Sequence, residues 1–251
     1  MQGMFKTGLV SISFRQLSVD EIVDIMKKSD LDCVEWGSDV HAPRDDFDKL
    51  NYIAKMQSEK GILCTSYGTY YKLGVEPVEE LHAYIKAAKV LGTSVLRIWC
   101  GNKNYQDMTE DERVAFVEQA KLAAKIAEDA GVTLCMECHN NTFTNRLEGA
   151  LRLMEEVNSD AFKMYWQPNQ FTDNETNFKY AEKIAKYTVN IHVFNWEGSN
   201  KYPLADATEL WRKYLSYFSG NEALLLEFMP DGNPNTLPIE ADALKNIIKG
   251  A

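Results

Sequence analysis

The chain has 251 residues, of which 45% are hydrophobic and 25% charged, enough apolar content for one large core or two small ones. A formal net charge of -10 opposes binding of nucleic acid or anionic membrane through bulk electrostatics. No run approaches the ~18–20 apolar residues of a membrane span, and the opening MQGMFKTGLV has neither the apolar stretch nor the cleavage site of a secretion signal.

Short apolar runs alternate with stretches of helical period from one end of the chain to the other. GLVSISF (8–14) reads as a strand, and SVDEIVDIMKKS (18–29) as a helix capped by Ser18, with Glu21 completing a capping box. CVEWG (33–37) precedes a helix over 44–60. ILCTSYGT (62–69) precedes PVEELHAYIKAAKVLG (77–92), where Pro77 suits a helix start and Gly92 a stop. VLRIWC (95–100) precedes a helix over 109–131, and TLCMECH (133–139) one over 145–157. FKMYWQP (162–168) precedes a helix over 174–187, TVNIHVFN (188–195) one over 206–218, and EALLLEF (222–228) one over 239–250. Strands alternating with helices imply a parallel sheet covered by helices, and eight such units in this length match a (β/α)8 TIM barrel. An open doubly wound sheet would want a GxGxxG turn, which the chain lacks. No linker or low-complexity segment divides it, so residues 1–251 read as a single α/β barrel domain.

Five cysteines outside any loop-rich framework read as reduced thiols of a cytoplasmic protein. Cys135 and Cys138 have CxxC spacing, but side chains three apart on a strand point to opposite faces. They read as two small buried residues rather than a metal pair.

LCMECHN (134–140) carries Glu137 at the end of a buried strand, where a carboxylate is costly unless something pairs with it. In a barrel of this kind the strand C-termini form the active-site mouth. The polar residues there are Glu35, Arg97, Glu137, His139, Asn140, Gln167, Asn169, Gln170, His192, Asn195 and Glu227. Two glutamates, an imidazole and an amide oxygen on consecutive strands suit a divalent cation, with Mg²⁺ or Mn²⁺ favoured by oxygen and Mn²⁺, Co²⁺ or Zn²⁺ by histidine. Such a cation supplies the countercharge that keeps Glu137 and Glu227 ionised in a closed pocket.

LCMECHNN (134–141), YWQPNQ (165–170), NIHVFNW (190–196) and LLLEF (224–228) resemble the last four strand ends of the xylose-isomerase-like sugar isomerase/epimerase superfamily. CVEWG and VLRIWCG resemble its second and fourth strands. The resemblance implies one divalent metal (Mn, Mg, Co or Zn) on Glu137, Gln167, His192 and Glu227. It departs at Gln167, where the pattern has aspartate, at Gln170, where it has histidine, and at Asn195, where an acidic residue is common. An amide oxygen brings no charge, so the ligand set drops from -3 to -2, and a metal-free, non-catalytic sugar-binding barrel stands as an alternative.

The chemistry the resemblance implies is isomerisation or epimerisation of a small keto-sugar. A proton leaves the carbon beside a carbonyl, a metal stabilises the enediolate, and Glu137 and Glu227 act as the acid/base pair. His139, Arg97 and Lys103 are candidates to orient hydroxyls or an anionic group. Trp36, Trp99, Trp166 and Trp196, all near strand ends, are candidates to stack on sugar faces. Glu35, Gln170 and Asn195 complete the substrate-binding candidates, with Glu35 and Arg97 alternatively pairing with each other. His41 and His82 are assigned no role. A lyase such as a dehydroshikimate-type dehydratase is the competing enzyme class, whereas an apurinic-site nuclease is disfavoured by the net charge and by only four histidines. The partner is a carbohydrate, unphosphorylated because no glycine loop cradles a phosphate. Nothing in the sequence specifies an oligomeric state.

Overall fold

The computed structural model describes residues 5–251, so the secretion-signal reading falls partly on residues 1–4, outside the described residues. The strands are β1 (Lys6–Val10), β2 (Cys33–Gly37), β3 (Leu63–Leu73), β4 (Val95–Cys100), β5 (Thr133–Glu137), β6 (Phe162–Trp166), β7 (Thr188–Val193), β8 (Trp196–Glu197), β9 (Asn200–Lys201) and β10 (Ala223–Leu226). The helices are α1 (Val19–Lys28), α2 (Phe47–Glu59), α3 (Leu81–Val90), α4 (Glu110–Ala130), α5 (Leu147–Val157), α6 (Asn174–Ile184), α7 (Thr208–Leu215) and α8 (Leu237–Lys249). Eight parallel strands close into a barrel in the order β1-β10-β7-β6-β5-β4-β3-β2, with a helix after each, as the alternation predicts.

Local chemistry accounts for the boundaries. Ser18 caps α1 by accepting from the Glu21 N–H, and the Glu21 carboxylate accepts from the Ser18 N–H at 2.7 Å. Thr109 and Glu112 repeat the device at α4, and Gly131 ends that helix at φ +67°, a conformation that suits a residue without Cβ. Two expectations are corrected. SISF is a 3-10 turn at 11–14 rather than the end of a strand, so β1 stops at Val10. β3 runs on to Leu73, past the expected end at 69, and its register against β4 slips between Gly68 and Lys72. Such a bulge re-aims side chains at a barrel rim.

Strand parity builds two cores. Val10, Ile12, Cys33, Cys135, Tyr165, Ala223 and Leu225 form a small apolar plug inside the barrel. A much larger layer lies between sheet and helices, and it includes Trp36, Met136, Cys138, Trp166 and Trp211. Cys135 and Cys138 therefore do face opposite sides, and all five cysteines carry free thiols. After β7 the antiparallel pair β8–β9 forms a hairpin absent from the sequence reading. Among the described residues no helix is long and apolar enough to cross a membrane.

Candidate active site

Above the plug, the strand ends bring a set of charges together out of water. Glu35, fully buried on β2, accepts from Arg97 Nε at 2.8 Å and from Ser66 Oγ at 2.9 Å. Arg97 Nη1 donates to Glu137 Oε2, and Trp99 Nε1 donates to the same oxygen. A Cβ at position 68 would lie 2.5 Å from Glu35 Oε1 and 2.8 Å from Arg97 Nη2, so any residue larger than glycine must push this pair aside.

On the other side stands His192, with no exposed surface, its ring 4.6 Å from that of Tyr165. Its Nδ1 is 2.8 Å from Gln167 Oε1, 3.5 Å from Glu227 Oε2 and 3.8 Å from Glu137 Oε1. Its Nε2 points to Glu35 Oε2 at 3.5 Å without forming a hydrogen bond. Among the described residues, none donates a hydrogen bond to the Glu227 carboxylate.

Burial pushes all these carboxyls up, and neighbours decide the outcome. At Glu35 and Glu137 the Arg97 and His192 charges outweigh burial and hold both below the usual carboxylate range. Glu227 is raised, because burial, helped by the Glu137 charge, outweighs His192 and Arg97. Burial lowers His192, but Glu227 and Glu35 outweigh it and leave the imidazole more basic than usual.

One ligand atom each from Glu137, His192 and Glu227 lies within 4.8 Å of the others, and all three residues are buried. Three buried carboxylates face one guanidinium and one imidazole, so a further cation is electrostatically welcome. The donors fit a divalent ion: carboxylate oxygens, an imidazole nitrogen, and the Gln167 carbonyl already at His192 Nδ1. Glu35 lies behind Nε2, on the side from which a carboxylate can support a metal-binding imidazole, at 3.5 Å.

These groups open into a cavity of about 240 Å³ lined by Arg97, Trp99, Glu137, His139, Gln167, Gln170 and Glu227, with Arg15 and Tyr70 at its edge. His139 stacks on Trp99 with ring centroids 4.6 Å apart and planes 18° apart. Its Nδ1 bonds the Asn140 carbonyl at 2.8 Å, so the proton sits on Nδ1 and a neutral ring keeps a lone pair at Nε2. Arg15 reaches the Tyr70 hydroxyl and pairs with Asp39 at 3.0 Å. Sequence reasoning missed Arg15 and Tyr70. Arg15 follows the unforeseen turn after β1, and Tyr70 rides on the unforeseen end of β3.

Several candidate residues lie elsewhere. Glu35 lies beneath the cavity as the partner of Arg97, which favours the ion-pair alternative over substrate contact. Trp166 faces outward, packed against Tyr214 at 5.1 Å and Phe218 at 5.4 Å, because Tyr165 takes the inward parity. Trp36 also points outward and donates to Gln57 Oε1 at 2.8 Å. Asn195 lines a neighbouring cavity and spends its amide N–H on the Pro203 carbonyl at 2.9 Å. Lys103 is exposed and paired with Glu112 at 2.9 Å. His82 is exposed on α3, while His41 is buried and bonded to Ser11 Oγ at 3.0 Å and the Leu17 carbonyl at 3.1 Å.

The profile of the xylose isomerase-like TIM barrel family matches residues 23–219. The chain belongs to this family. A 3-dehydroshikimate dehydratase of Bacillus anthracis is 22% identical over 170 residues, spanning 63% of this chain and 60% of the dehydratase. The crystal structure of the probable 3-DHS dehydratase from Bacillus anthracis superposes with a TM-score of 0.80 at 17% identity, covering 97% of this chain and 99% of the other. The 3-keto-D-glucoside 4-epimerase of E. coli gives a TM-score of 0.71 at 13% identity, covering 98% and 99%. At such identities the structural likeness establishes the shared fold.

Proposed function

We propose that this xylose isomerase-like barrel is an isomerase or epimerase that moves a proton at a carbon beside the carbonyl of a small keto-sugar. The observation that carries the reading is the unequal treatment of two carboxylates on one cavity. Glu137 accepts from Arg97 and Trp99 at Oε2, and its Oε1 takes no hydrogen bond from the described residues. Glu227 receives no hydrogen bond from the described residues. Two such groups whose environments differ are suited to opposite roles. Glu137, held ionised, takes the proton. Glu227, more easily protonated, returns one from its own side of the cavity, and the roles exchange in the reverse direction. Trp99, stacked on His139, gives the cavity an aromatic wall, and His139 and Gln170 orient hydroxyls. A divalent ion (Mn, Mg, Co or Zn) on Glu137, His192, Glu227 and, more weakly, Gln167 would polarise the carbonyl and stabilise charge developing on the substrate oxygens.

The test is solvent deuterium incorporation into a panel of ketoses by the metal-supplemented protein, with Glu137→Gln and Glu227→Gln compared. Exchange should fall to near background in both variants. Exchange that persists in both assigns the chemistry to other residues.

A second reading, elimination of water, draws on a different observation. His139 lines the same cavity with its Nε2 unbonded among the described residues, a candidate further base, and Arg15, held by Asp39 and Tyr70, is a candidate for a substrate carboxylate. It is supported by the similarity to the dehydratase. Incubation with 3-dehydroshikimate separates the two: loss of water turns the ring into an aromatic dihydroxybenzoate with a new ultraviolet band, whereas epimerisation leaves the ring non-aromatic. Metal titration bears on the binding-protein alternative, which requires no bound ion.

A further inference from the structure

The reaction cavity has a neighbour. A second cavity of about 390 Å³ adjoins it, and Asn169, Gln170 and Trp196 line both. The cavity of about 240 Å³ holding Glu137 and Glu227 lies below the ~300–1,000 Å³ of typical small-molecule sites. It therefore suits a single sugar ring, and a ligand using both spaces falls inside that range.

An aromatic row joins them. Phe228 lines the first cavity, Trp196 both, and Phe194 the second. The Trp196 ring centroid is 4.6 Å from Phe194 and 5.7 Å from Phe228. Phe228 holds its place at φ +51°, a conformation that bulky residues rarely adopt, while its N–H donates to Ser13 Oγ at 2.9 Å. Lys201 Nζ sits 5.0 Å over Trp196 and 4.9 Å over Phe228 and belongs to the lining of neither cavity, so it braces the row from outside. The Gly198 N–H donates to the Gln170 carbonyl at 2.8 Å and fixes the hairpin against the loop after β6. At that junction the Gln170 side-chain amide makes no hydrogen bond to the described residues.

The chemistry of the second cavity selects its occupant. Its lining contains no lysine, arginine or histidine but includes Asp173 and Glu197, which disfavours phosphate or carboxylate. The amides of Asn169, Asn177 and Asn195 are spent on neighbours, which leaves the Gln170 amide beside the half-buried Trp196 ring, and that pairing suits a polyhydroxylated ring: an apolar surface to cover and hydroxyls to satisfy. We propose that the substrate is a glycoside or disaccharide. Its reacting ring sits between Glu137 and Glu227, and an uncharged second sugar lies against Trp196, with Gln170 bonding across the junction. This rests on the keto-sugar reading above and extends it from a monosaccharide to a two-ring substrate.

The experiment is calorimetric titration of the metal-supplemented protein with D-fructose and with three glucosyl-fructoses: turanose, leucrose and isomaltulose. At least one disaccharide should bind tenfold or more tighter than D-fructose. Asn174→Trp, an exposed position at the outer edge of the second cavity, should erase most of that advantage and leave D-fructose affinity unchanged. Trp196→Ala, with circular dichroism to confirm folding, should weaken both kinds of sugar. The proposal falls if no disaccharide exceeds D-fructose, if none of the four sugars binds, or if Asn174→Trp leaves the advantage intact. Disaccharide binding that Asn174→Trp removes, in a protein that exchanges no ketose proton, keeps the second sugar site and discards the isomerase reading. Exchange on D-fructose without a disaccharide advantage does the reverse.

Discussion

The two sides of the buried charge cluster are built on different terms. On the side of β2, β4 and β5, every strong charge has a close partner: Glu35 with Arg97 at 2.8 Å, Arg97 with Glu137, and Glu137 with Trp99. On the side of β7 and β10 the approaches are longer, with Glu227 3.5 Å and Glu137 3.8 Å from His192, and the one close bond runs to a neutral amide, Gln167. The first side cannot give up a member without exposing a buried charge. The second can exchange a proton, or accept a cation, without breaking a strong bond. The difference separates what holds the site from what works in it.

The largest expected effect comes from breaking the closed side. Arg97→Met leaves Glu35 and Glu137 facing each other without their cation, and stranding a buried charge typically costs about 3–5 kcal/mol. A urea midpoint near that of wild type would show that the pair is not the structural half of the cluster. On the open side, Glu227→Gln should slow proton exchange by ~10²–10⁴ while leaving the urea midpoint nearly unmoved, since no strong bond is lost. A large stability loss instead would place Glu227 with the structural residues. Gln167→Asp sharpens the contrast by adding charge to the open side, and should tighten divalent-metal binding roughly tenfold, the scale of changes beside a metal. If calorimetry detects metal binding to neither wild type nor Gln167→Asp, the cage is abandoned. The smallest effect belongs outside the cluster altogether: Lys103→Ala removes an exposed pair with Glu112 and should shift stability by less than about 1 kcal/mol, with exchange rates unchanged.

The barrel was legible because its signal repeats: each strand–helix unit independently predicts the next, and errors at the ends of β1 and β3 leave the topology intact. The convergence of Glu137, Gln167, His192 and Glu227 followed once the fold placed all strand C-termini at one mouth. What the sequence obscured was parity. In FKMYW and CVEWG aromatic and polar residues sit side by side, so nothing in the pattern says which neighbour turns inward. Registering Trp36 against Glu35, one residue apart, would have sent the tryptophan outward, whereas Trp99, two residues from Arg97, belongs on the same face. Asn195 lines the neighbouring cavity rather than the barrel mouth for another reason: the chain leaves β7 at Val193 and turns into a hairpin, so strand logic no longer applies to it. Arg15 and Tyr70 depend on a 3-10 turn and a bulge, whose cause is packing around the barrel rather than a local residue preference.

Gly68 carries no functional group and does not line the reaction cavity, yet any side chain there meets the Glu35 carboxylate and the Arg97 guanidinium. In a saturation library its pattern of tolerated codons would be indistinguishable from that of a catalytic residue, since even alanine must displace the carboxylate and guanidinium beside it. Mutational intolerance in this barrel therefore maps the space that the chemistry needs left empty as well as the groups that perform it.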